Sequence, residues 1–154
     1  MRLVLIALAL AQTLLPKLST LQHITVEPLT SVATVAKGGV VTLWADVTPK
    51  PNIHVYATDK EGFTPVSLVV TPQPRLTIGK VKYPAPESGI TPGSDTVVPV
   101  YTKSFRVADP ITVAASAKSG DVLTIVGVIT YQACDDRLCY PTASMPIRWA
   151  VTVK

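Results

Sequence analysis

Charged residues are scarce in this chain, at 16% of the sequence, and neither sign is clustered. The net charge is +4, but the lysines and arginines stand singly, and no basic stripe with interleaved aromatic residues occurs. This distribution argues against nucleic-acid binding and favours ordinary solubility charge. The 10 acidic residues are dispersed, so nothing indicates a hydrolase with paired carboxylates.

Several catalytic and binding motifs are also missing. The sequence has no Gly-x-Ser-x-Gly nucleophile motif, no phosphate-cradling glycine loop, no His-Glu-x-x-His pair and no calcium loop. These absences exclude the common hydrolytic and nucleotide chemistries. We therefore expect no cofactor.

The N-terminus carries an apolar run that is too short to span a bilayer comfortably, and no other segment approaches transmembrane length without a break. Met1 and Arg2 precede the apolar residues 3–11, and Pro16 and Lys17 end the segment. A basic start followed by a short apolar run is typical of a secretory signal peptide. We predict that residues 1–20 are a signal peptide or an N-terminal membrane anchor. Both alternatives export the chain to an extracytoplasmic compartment in which disulfides persist.

Glycine is sparse, with 8 residues against 14 prolines, and no window shows sustained apolar spacing at a helical period. Such a composition disfavours long helices and favours short strands joined by turns and bends. We predict one all-β domain over residues 21–154, an immunoglobulin-like β-sandwich of about seven strands. The predicted strands are residues 40–47, 53–57, 66–70, 104–107, 111–115, 122–131 and 147–153.

Two of these runs carry the most information. Residues 122–131 are apolar on both alternating faces, which predicts a strand central to the core. Residues 147–153 alternate cleanly and predict a half-buried strand. We interpret Trp44 and Trp149 as core residues between the sheets. Residues 83–99, which contain several prolines, are predicted to be an extended loop.

The chain has only two cysteines, Cys134 and Cys139, in one predicted turn. If residues 122–131 and 147–153 are neighbouring antiparallel strands, the cysteines face each other across the base of the connection, close enough to bond. A bridge that closes so small a loop stabilises the fold by only about 2 kcal/mol. A surface bridge is also easily reached by another protein's thiolate. Redox exchange and a structural staple both stay open, with metal binding as a third possibility.

Charged neighbours affect the reactivity of the pair. Asp135 and Asp136 would raise the pKa of a nearby thiol, because like charge disfavours the thiolate, and Arg137 would oppose them. A thiol kept neutral attacks poorly, which suits a protein that is itself attacked in its oxidised form. Alternatively, the two aspartates are simply good turn formers.

Residues 131–141 read Tyr-Gln-Ala-Cys-Asp-Asp-Arg-Leu-Cys-Tyr-Pro. This run resembles the signature of the periplasmic N-terminal domain of the DsbD thiol:disulfide interchange proteins. Residues 51–57, 64–68 and 83–86 are also similar to family segments, and the resemblance covers residues 38–153. It implies an immunoglobulin-like domain in the periplasm with one redox-active cysteine pair, that is, a protein-disulfide reductase.

The resemblance also implies partners and roles. The pair would take electrons from a thioredoxin-like or DsbD-type membrane donor and reduce periplasmic client proteins that contain disulfides. Cys139 would form the mixed disulfide with partners, and Cys134 would be the resolving thiol. We expect a stand-alone version, whose electron donor is another polypeptide.

Further residues are expected to support the pair. His54 and Tyr56 occupy positions at which the family has polar aromatic residues, so they would shield the cysteines or supply protons; a half-buried strand residue is the alternative. A cap loop is expected within residues 87–101, although residues 88–100 contain no aromatic residue, unlike the best-known caps. The remaining supporting residues come from the cysteine motif itself: Tyr131, Asp135, Asp136, Tyr140 and Pro141.

Two other functions stay open. The chain could be a non-enzymatic immunoglobulin-like binding or assembly module, whose structural disulfide only shapes a loop. It could also be a soft-metal carrier, in which His23 and His54 join the cysteines to bind copper or zinc. Nothing in the sequence fixes the two histidines near the turn, so we predict no metal site.

Overall fold

A computed structural model describes residues 22–154; the predicted export segment, residues 1–20, lies outside them. The described part contains twelve strands and one short 3-10 helix, Lys60–Gly62. The strands are β1 Ile24–Thr30, β2 Thr34–Val35, β3 Val40–Pro49, β4 His54–Tyr56, β5 Ser67–Val70, β6 Leu76–Ile78, β7 Glu87–Ile90, β8 Val97–Tyr101, β9 Phe105–Val113, β10 Val122–Tyr131, β11 Ala133–Cys134 and β12 Ala143–Val153.

The strands form three four-stranded sheets. The first has the order β1-β3-β9-β6 and the second the order β2-β12-β10-β5. These two sheets share one apolar core, and the indole N–H of Trp149 crosses it to the Trp44 carbonyl oxygen at 2.8 Å. The third sheet, β11-β4-β8-β7, carries Cys134, and Cys139 is joined to it by an isolated antiparallel bridge. The predicted all-β, immunoglobulin-like sandwich is confirmed.

The alternation of β12 is as predicted. Ile147, Trp149, Val151 and Val153 are buried, because successive side chains of a strand point to opposite faces. The predicted antiparallel pairing of β10 with β12 is also confirmed, with Tyr131 opposite Ala143 at the end nearest the cysteines.

β10 was predicted to be central to the core, and only one of its two apolar faces is buried. The strand is central in its sheet, between β12 and β5, yet Val122 is 64% exposed and Val128 39% exposed. An antiparallel sheet in a two-layer sandwich buries only one face. Trp44 was also misassigned: it alternates with the buried Leu43 and Ala45, so it faces outward beneath the Arg106 guanidinium, 4.2 Å from the ring centroid.

Two further predictions were wrong at segments that contain proline. The predicted loop 83–99 contains β7 and the start of β8, which form a hairpin. The two predicted strands at 104–107 and 111–115 form the single strand β9. Pro99 and Pro110 lie inside strands because their carbonyl oxygens accept hydrogen bonds from Ala57 and Gly79, at 3.0 and 2.9 Å. A proline lacks only the donor half of the ladder.

No pattern in the sequence indicates the three strands β1, β2 and β6. Each lies at the edge of its sheet, where a strand needs few buried residues. Pairing of β1 with the well-buried β3 fixes its position, and Pro28 is tolerated at this edge. The consequence for function is that β1 brings His23 to the end of the sandwich that carries the cysteines.

Candidate functional site

The two cysteines form a disulfide at one end of the sandwich. Cys134 and Cys139 are joined at an S–S distance of 2.05 Å, with their Cα atoms 4.0 Å apart. They also form an antiparallel bridge, so the predicted arrangement across the base of the β10–β12 connection is confirmed. β11 adds Cys134 to the edge of the third sheet beside β4.

Asp135 organises the turn between the two cysteines. Its Oδ1 atom accepts hydrogen bonds from the backbone N–H groups of Arg137 and Leu138, at 2.8 and 2.9 Å. The Tyr140 hydroxyl donates to Oδ2 at 2.7 Å. These donors, that of Tyr140 foremost, lower the pKa of Asp135 to about 2. Asp135 is therefore a turn former and stays ionised at neutral pH.

Three further residues of the motif were predicted to support the pair: Asp136, Pro141 and Tyr131. Asp136 and Pro141 are exposed. Tyr131 is 1% exposed and belongs to the main core, where its hydroxyl accepts a hydrogen bond from the backbone N–H of His23 at 3.1 Å. These three residues shape the surroundings of the pair, and none of them donates a hydrogen bond to it among the described contacts.

Tyr56 lies directly on the disulfide. Its side chain is fully buried, and its hydroxyl is 3.2 Å from Cys134 Sγ and 3.4 Å from Cys139 Sγ. Bonded sulfur atoms have no proton to give, so the hydroxyl is the donor in both contacts. Burial raises the pKa of Tyr56. The phenol is therefore a proton-bearing donor at neutral pH.

His54 lies on the same face of β4, two residues before Tyr56, and directly opposite Cys134 in the β4–β11 pair. Its ring meets the Tyr56 ring edge to face, with the centroids 5.7 Å apart. The Nε2 atom is buried and has no hydrogen-bond partner. Burial lowers the pKa of His54, while Asp136 and Asp135 oppose this effect.

An apolar cluster encloses the disulfide. Tyr56, Val98, Val100 and Cys134 form its buried part, and Phe63 and Cys139 pack against them. Val98 and Val100 come from β8, so one strand of the predicted cap region 87–101 packs in the same cluster as the pair. The aromatic residue that this region lacks is provided by Phe63, from the β4–β5 connection, which stacks on Tyr56 at 3.8 Å.

The two sulfur-bearing residues differ in exposure. Cys134 is 0% exposed, whereas Cys139 is only partly buried. An incoming thiolate must approach the sulfur it attacks. The geometry therefore favours attack at Cys139 over attack at Cys134.

Three residues beside the cysteine turn were not among the predicted supporting residues. The His23 ring stacks on Tyr140 with a centroid distance of 3.7 Å. The Gln132 side chain links the turn to the β4–β5 connection, because it donates to the Tyr140 carbonyl oxygen and accepts from the Thr64 N–H. Phe63 is the third. His23 and Phe63 reach the site through long-range pairing, for which a single sequence carries no local signal, whereas Gln132 lies within the cysteine motif.

The histidines do not gather around the cysteines as a metal site would require. His23 contacts Tyr140, and His54 faces Cys134 across the strand pair. Among residues 22–154, no group of three or more His, Cys, Asp or Glu side chains is placed to hold a metal ion.

Fold and site together define a class of protein: an immunoglobulin-like sandwich with a local, partly accessible disulfide beneath an aromatic and aliphatic cover. The family model described as the N-terminal part of the thiol:disulfide interchange protein DsbD matches residues 22–147. The chain belongs to this family, for which thiol:disulfide exchange is the implied chemistry. No curated protein matches the chain.

Two solved structures are of proteins similar to this chain. The N-terminal periplasmic domain of ScsB from Proteus mirabilis is 17% identical, with a TM-score of 0.51, over 84% of this chain and 46% of that one. The reduced N-terminal domain of DsbD from Neisseria meningitidis is 17% identical, with a TM-score of 0.49, over 82% of this chain and 85% of that one. The similarity to the ScsB domain supports the fold described above.

The family is periplasmic and interacts in general with thioredoxin-like proteins and with periplasmic proteins that contain disulfides. In residues 22–154 no helix is long and apolar enough to cross a membrane.

Proposed function

We propose that this protein is an exported electron carrier that accepts electrons from a thioredoxin-like or DsbD-type membrane donor and reduces the disulfides of client proteins. The observation that carries this proposal is the asymmetric disulfide, in which Cys139 is partly accessible and Cys134 is buried. Catalysis is assigned to these two cysteines. Residues 21–154 form the functional domain, and residues 1–20 direct export to the periplasm.

The exchange runs in two steps. A thiolate of the reduced donor attacks Cys139 Sγ, the Cys134–Cys139 bond breaks, and the electron pair leaves on Cys134 Sγ. The donor's second thiolate then attacks the donor sulfur of the mixed disulfide and releases Cys139 as a thiolate. The donor dithiol has become a disulfide, and this chain has gained two electrons and, from solvent, two protons.

Two features of the site support exchange over a purely structural bridge. The disulfide closes a short loop, with a sequence separation of 5, so it stabilises the fold by only about 2 kcal/mol. The Tyr56 hydroxyl, 3.2 Å from Cys134 Sγ, is placed to stabilise the thiolate that attack at Cys139 leaves behind.

The cover over the pair has a role in the same proposal. Phe63, Val98 and Val100 restrict approach to the sulfur atoms and limit oxidation by small molecules. A docking partner would have to displace or reach past Phe63, which packs only partly buried against the cluster.

A trapping experiment tests the proposal. The oxidised wild-type chain is mixed with a thioredoxin whose resolving cysteine is replaced by serine, and the adduct is quenched with acid and mapped by mass spectrometry. We expect a mixed disulfide at Cys139. An adduct at Cys134 would contradict the assigned roles, and the absence of any adduct would favour a binding module with a structural disulfide.

A further inference from the structure

We propose that the imidazole of His54 is the general base that deprotonates Cys134 when this thiol resolves a mixed disulfide. The inference rests on the proposed function, because it assigns a proton acceptor to the second half of the exchange with a client. It concerns the reduced protein, in which Cys134 carries a proton that has to leave before the sulfur can attack.

Strand register places the two side chains together. His54 and Cys134 are directly opposite each other in the antiparallel β4–β11 pair, so both point to the same face of the sheet. Directly opposed residues have Cβ atoms about 4.5–5.5 Å apart. Rotation of a released Cys134 side chain then brings Sγ within reach of the ring.

The Nε2 atom of His54 is the acceptor that the reduced state would use. It is buried and lacks a hydrogen-bond partner while the cysteines are bonded to each other. A buried polar atom without a partner destabilises the fold, so such atoms are rare and call for a reason. The Cys134 S–H group, which exists only after reduction, is a donor on the same face of the sheet.

Cys134 needs a base because its surroundings keep the thiol protonated. The residue is 0% exposed and packs against Tyr56, Val98 and Val100. Burial in apolar surroundings and the nearby carboxylates of Asp135 and Asp136 both disfavour a thiolate.

The other polar group at the sulfur atoms cannot take this proton. Tyr56 carries its own proton at neutral pH, since burial raises its pKa, so its neutral hydroxyl is not a base for the thiol proton. His54 is suited to accept, because burial lowers its pKa and keeps the ring neutral. The ionisable groups that act on the ring are Asp136 and Asp135 across the strand pair and the phenol of Tyr56 on its own strand.

In the resolving step, a proton transfer to His54 precedes the attack of one cysteine sulfur on the other. The Cys134 S–H proton passes to His54 Nε2, and the Tyr56 hydroxyl holds the new thiolate. Cys134 Sγ attacks Cys139 Sγ of the mixed disulfide, the bond from Cys139 to the client sulfur breaks, and the client leaves as a thiolate. The imidazolium releases its proton to that thiolate or to solvent, and the client has gained two electrons.

The test uses the reduced full chain and 5,5′-dithiobis(2-nitrobenzoate) in a stopped-flow spectrometer. Attack by Cys139 releases a first thionitrobenzoate, and resolution by Cys134 releases a second. We compare wild type with His54→Phe and with His54→Gln, which keeps hydrogen-bonding capacity but cannot accept a proton. At pH 7 we expect both variants to slow the second release about 100-fold, within the range of general-base catalysis, and to change the first less than about threefold.

A pH series separates a proton acceptor from a packing residue. Above the pKa of the Cys134 thiol, the base is no longer needed, so the variants should recover the wild-type rate of second release. Rates within about threefold of wild type at pH 7, rescue by glutamine, or a deficit that persists at high pH would each overturn the inference.

Cysteine variants keep this outcome separate from a failure of the proposed function. Cys134→Ser should release one thionitrobenzoate at the wild-type first rate, and Cys139→Ser should lose the first phase. A fast first phase in Cys139→Ser would refute the assigned roles of the cysteines, whatever the His54 variants show.

Discussion

The Tyr56 hydroxyl lies 3.2 Å from Cys134 Sγ and 3.4 Å from Cys139 Sγ, so a single buried donor serves both sulfur atoms of the disulfide. Whichever sulfur becomes the thiolate, the same hydroxyl is in place to stabilise it. A donor that need not reorganise during the reaction is an efficient form of electrostatic stabilisation.

Replacement of Tyr56 by phenylalanine removes this donor and leaves the ring. We expect reduction of the disulfide by dithiothreitol at pH 7 to slow about tenfold, which corresponds to about 1.4 kcal/mol for a lost hydrogen bond to a developing charge. The matched control is Tyr101→Phe, a buried tyrosine whose hydroxyl donates to the Pro84 carbonyl oxygen. Equal rates in both variants would refute the role given to the Tyr56 hydroxyl.

Replacement of Phe63 by alanine opens the cover over the pair. We expect the reduced variant to be oxidised several-fold faster by hydrogen peroxide, because a half-buried ring that stacks on Tyr56 no longer limits access. Phe105→Ala is the control, since Phe105 stacks on Tyr101 in a similar way at 4.0 Å. If both variants are oxidised at the wild-type rate, Phe63 does not shield the cysteines.

Asp109 should make the stability of the domain fall as pH rises. Its side chain is fully buried without a hydrogen-bond partner, and this burial raises the pKa of the carboxyl. The nearby Gly79 N–H lowers the pKa only in part, because it donates its hydrogen bond to the Pro110 carbonyl oxygen. The folded state therefore holds the proton more tightly than the unfolded state. Stability is fully present below the unfolded pKa and decreases as pH rises through the folded one.

Urea unfolding of Asp109→Val checks this prediction. At pH 7 the variant should be more stable than wild type by about 1–3 kcal/mol, the cost of a buried polar group without a partner. The difference should shrink as pH falls through the raised pKa of the wild-type carboxyl, which then becomes protonated. A variant that is less stable at pH 7 would contradict the prediction.

Tyr140→Phe should raise the pKa of Asp135 from about 2 towards its ordinary value, because the Tyr140 hydroxyl is the main donor that lowers it. The depressed pKa contributes stability above the unfolded value of about 4, which is lost as pH falls towards 2. An NMR titration of the Asp135 carboxyl measures the shift directly. An unchanged pKa would show that the backbone donors of Arg137 and Leu138 suffice.

The sequence predicts those parts of the fold in which the pattern is local. Alternation in β12 and the apolar run of β10 identify the two strands that flank the cysteine turn, and the two cysteines mark the site. The β7–β8 hairpin was not predicted, because its prolines and glycines are typical of loops. Pairing of β8 with β4 holds the hairpin in place. Chain reversals far from the turn bring Phe63 and His23 to the site, so no local pattern reveals them.

The reduction potential of the Cys134–Cys139 pair tests the central claim most directly. The oxidised and reduced fractions are measured by thiol trapping after equilibration in glutathione and dithiothreitol buffers. A carrier between thioredoxin-like donors and client disulfides should have a potential between about −270 and −180 mV. A value well below about −300 mV, the range of structural bridges, would contradict the account and favour a binding module whose disulfide only shapes the turn.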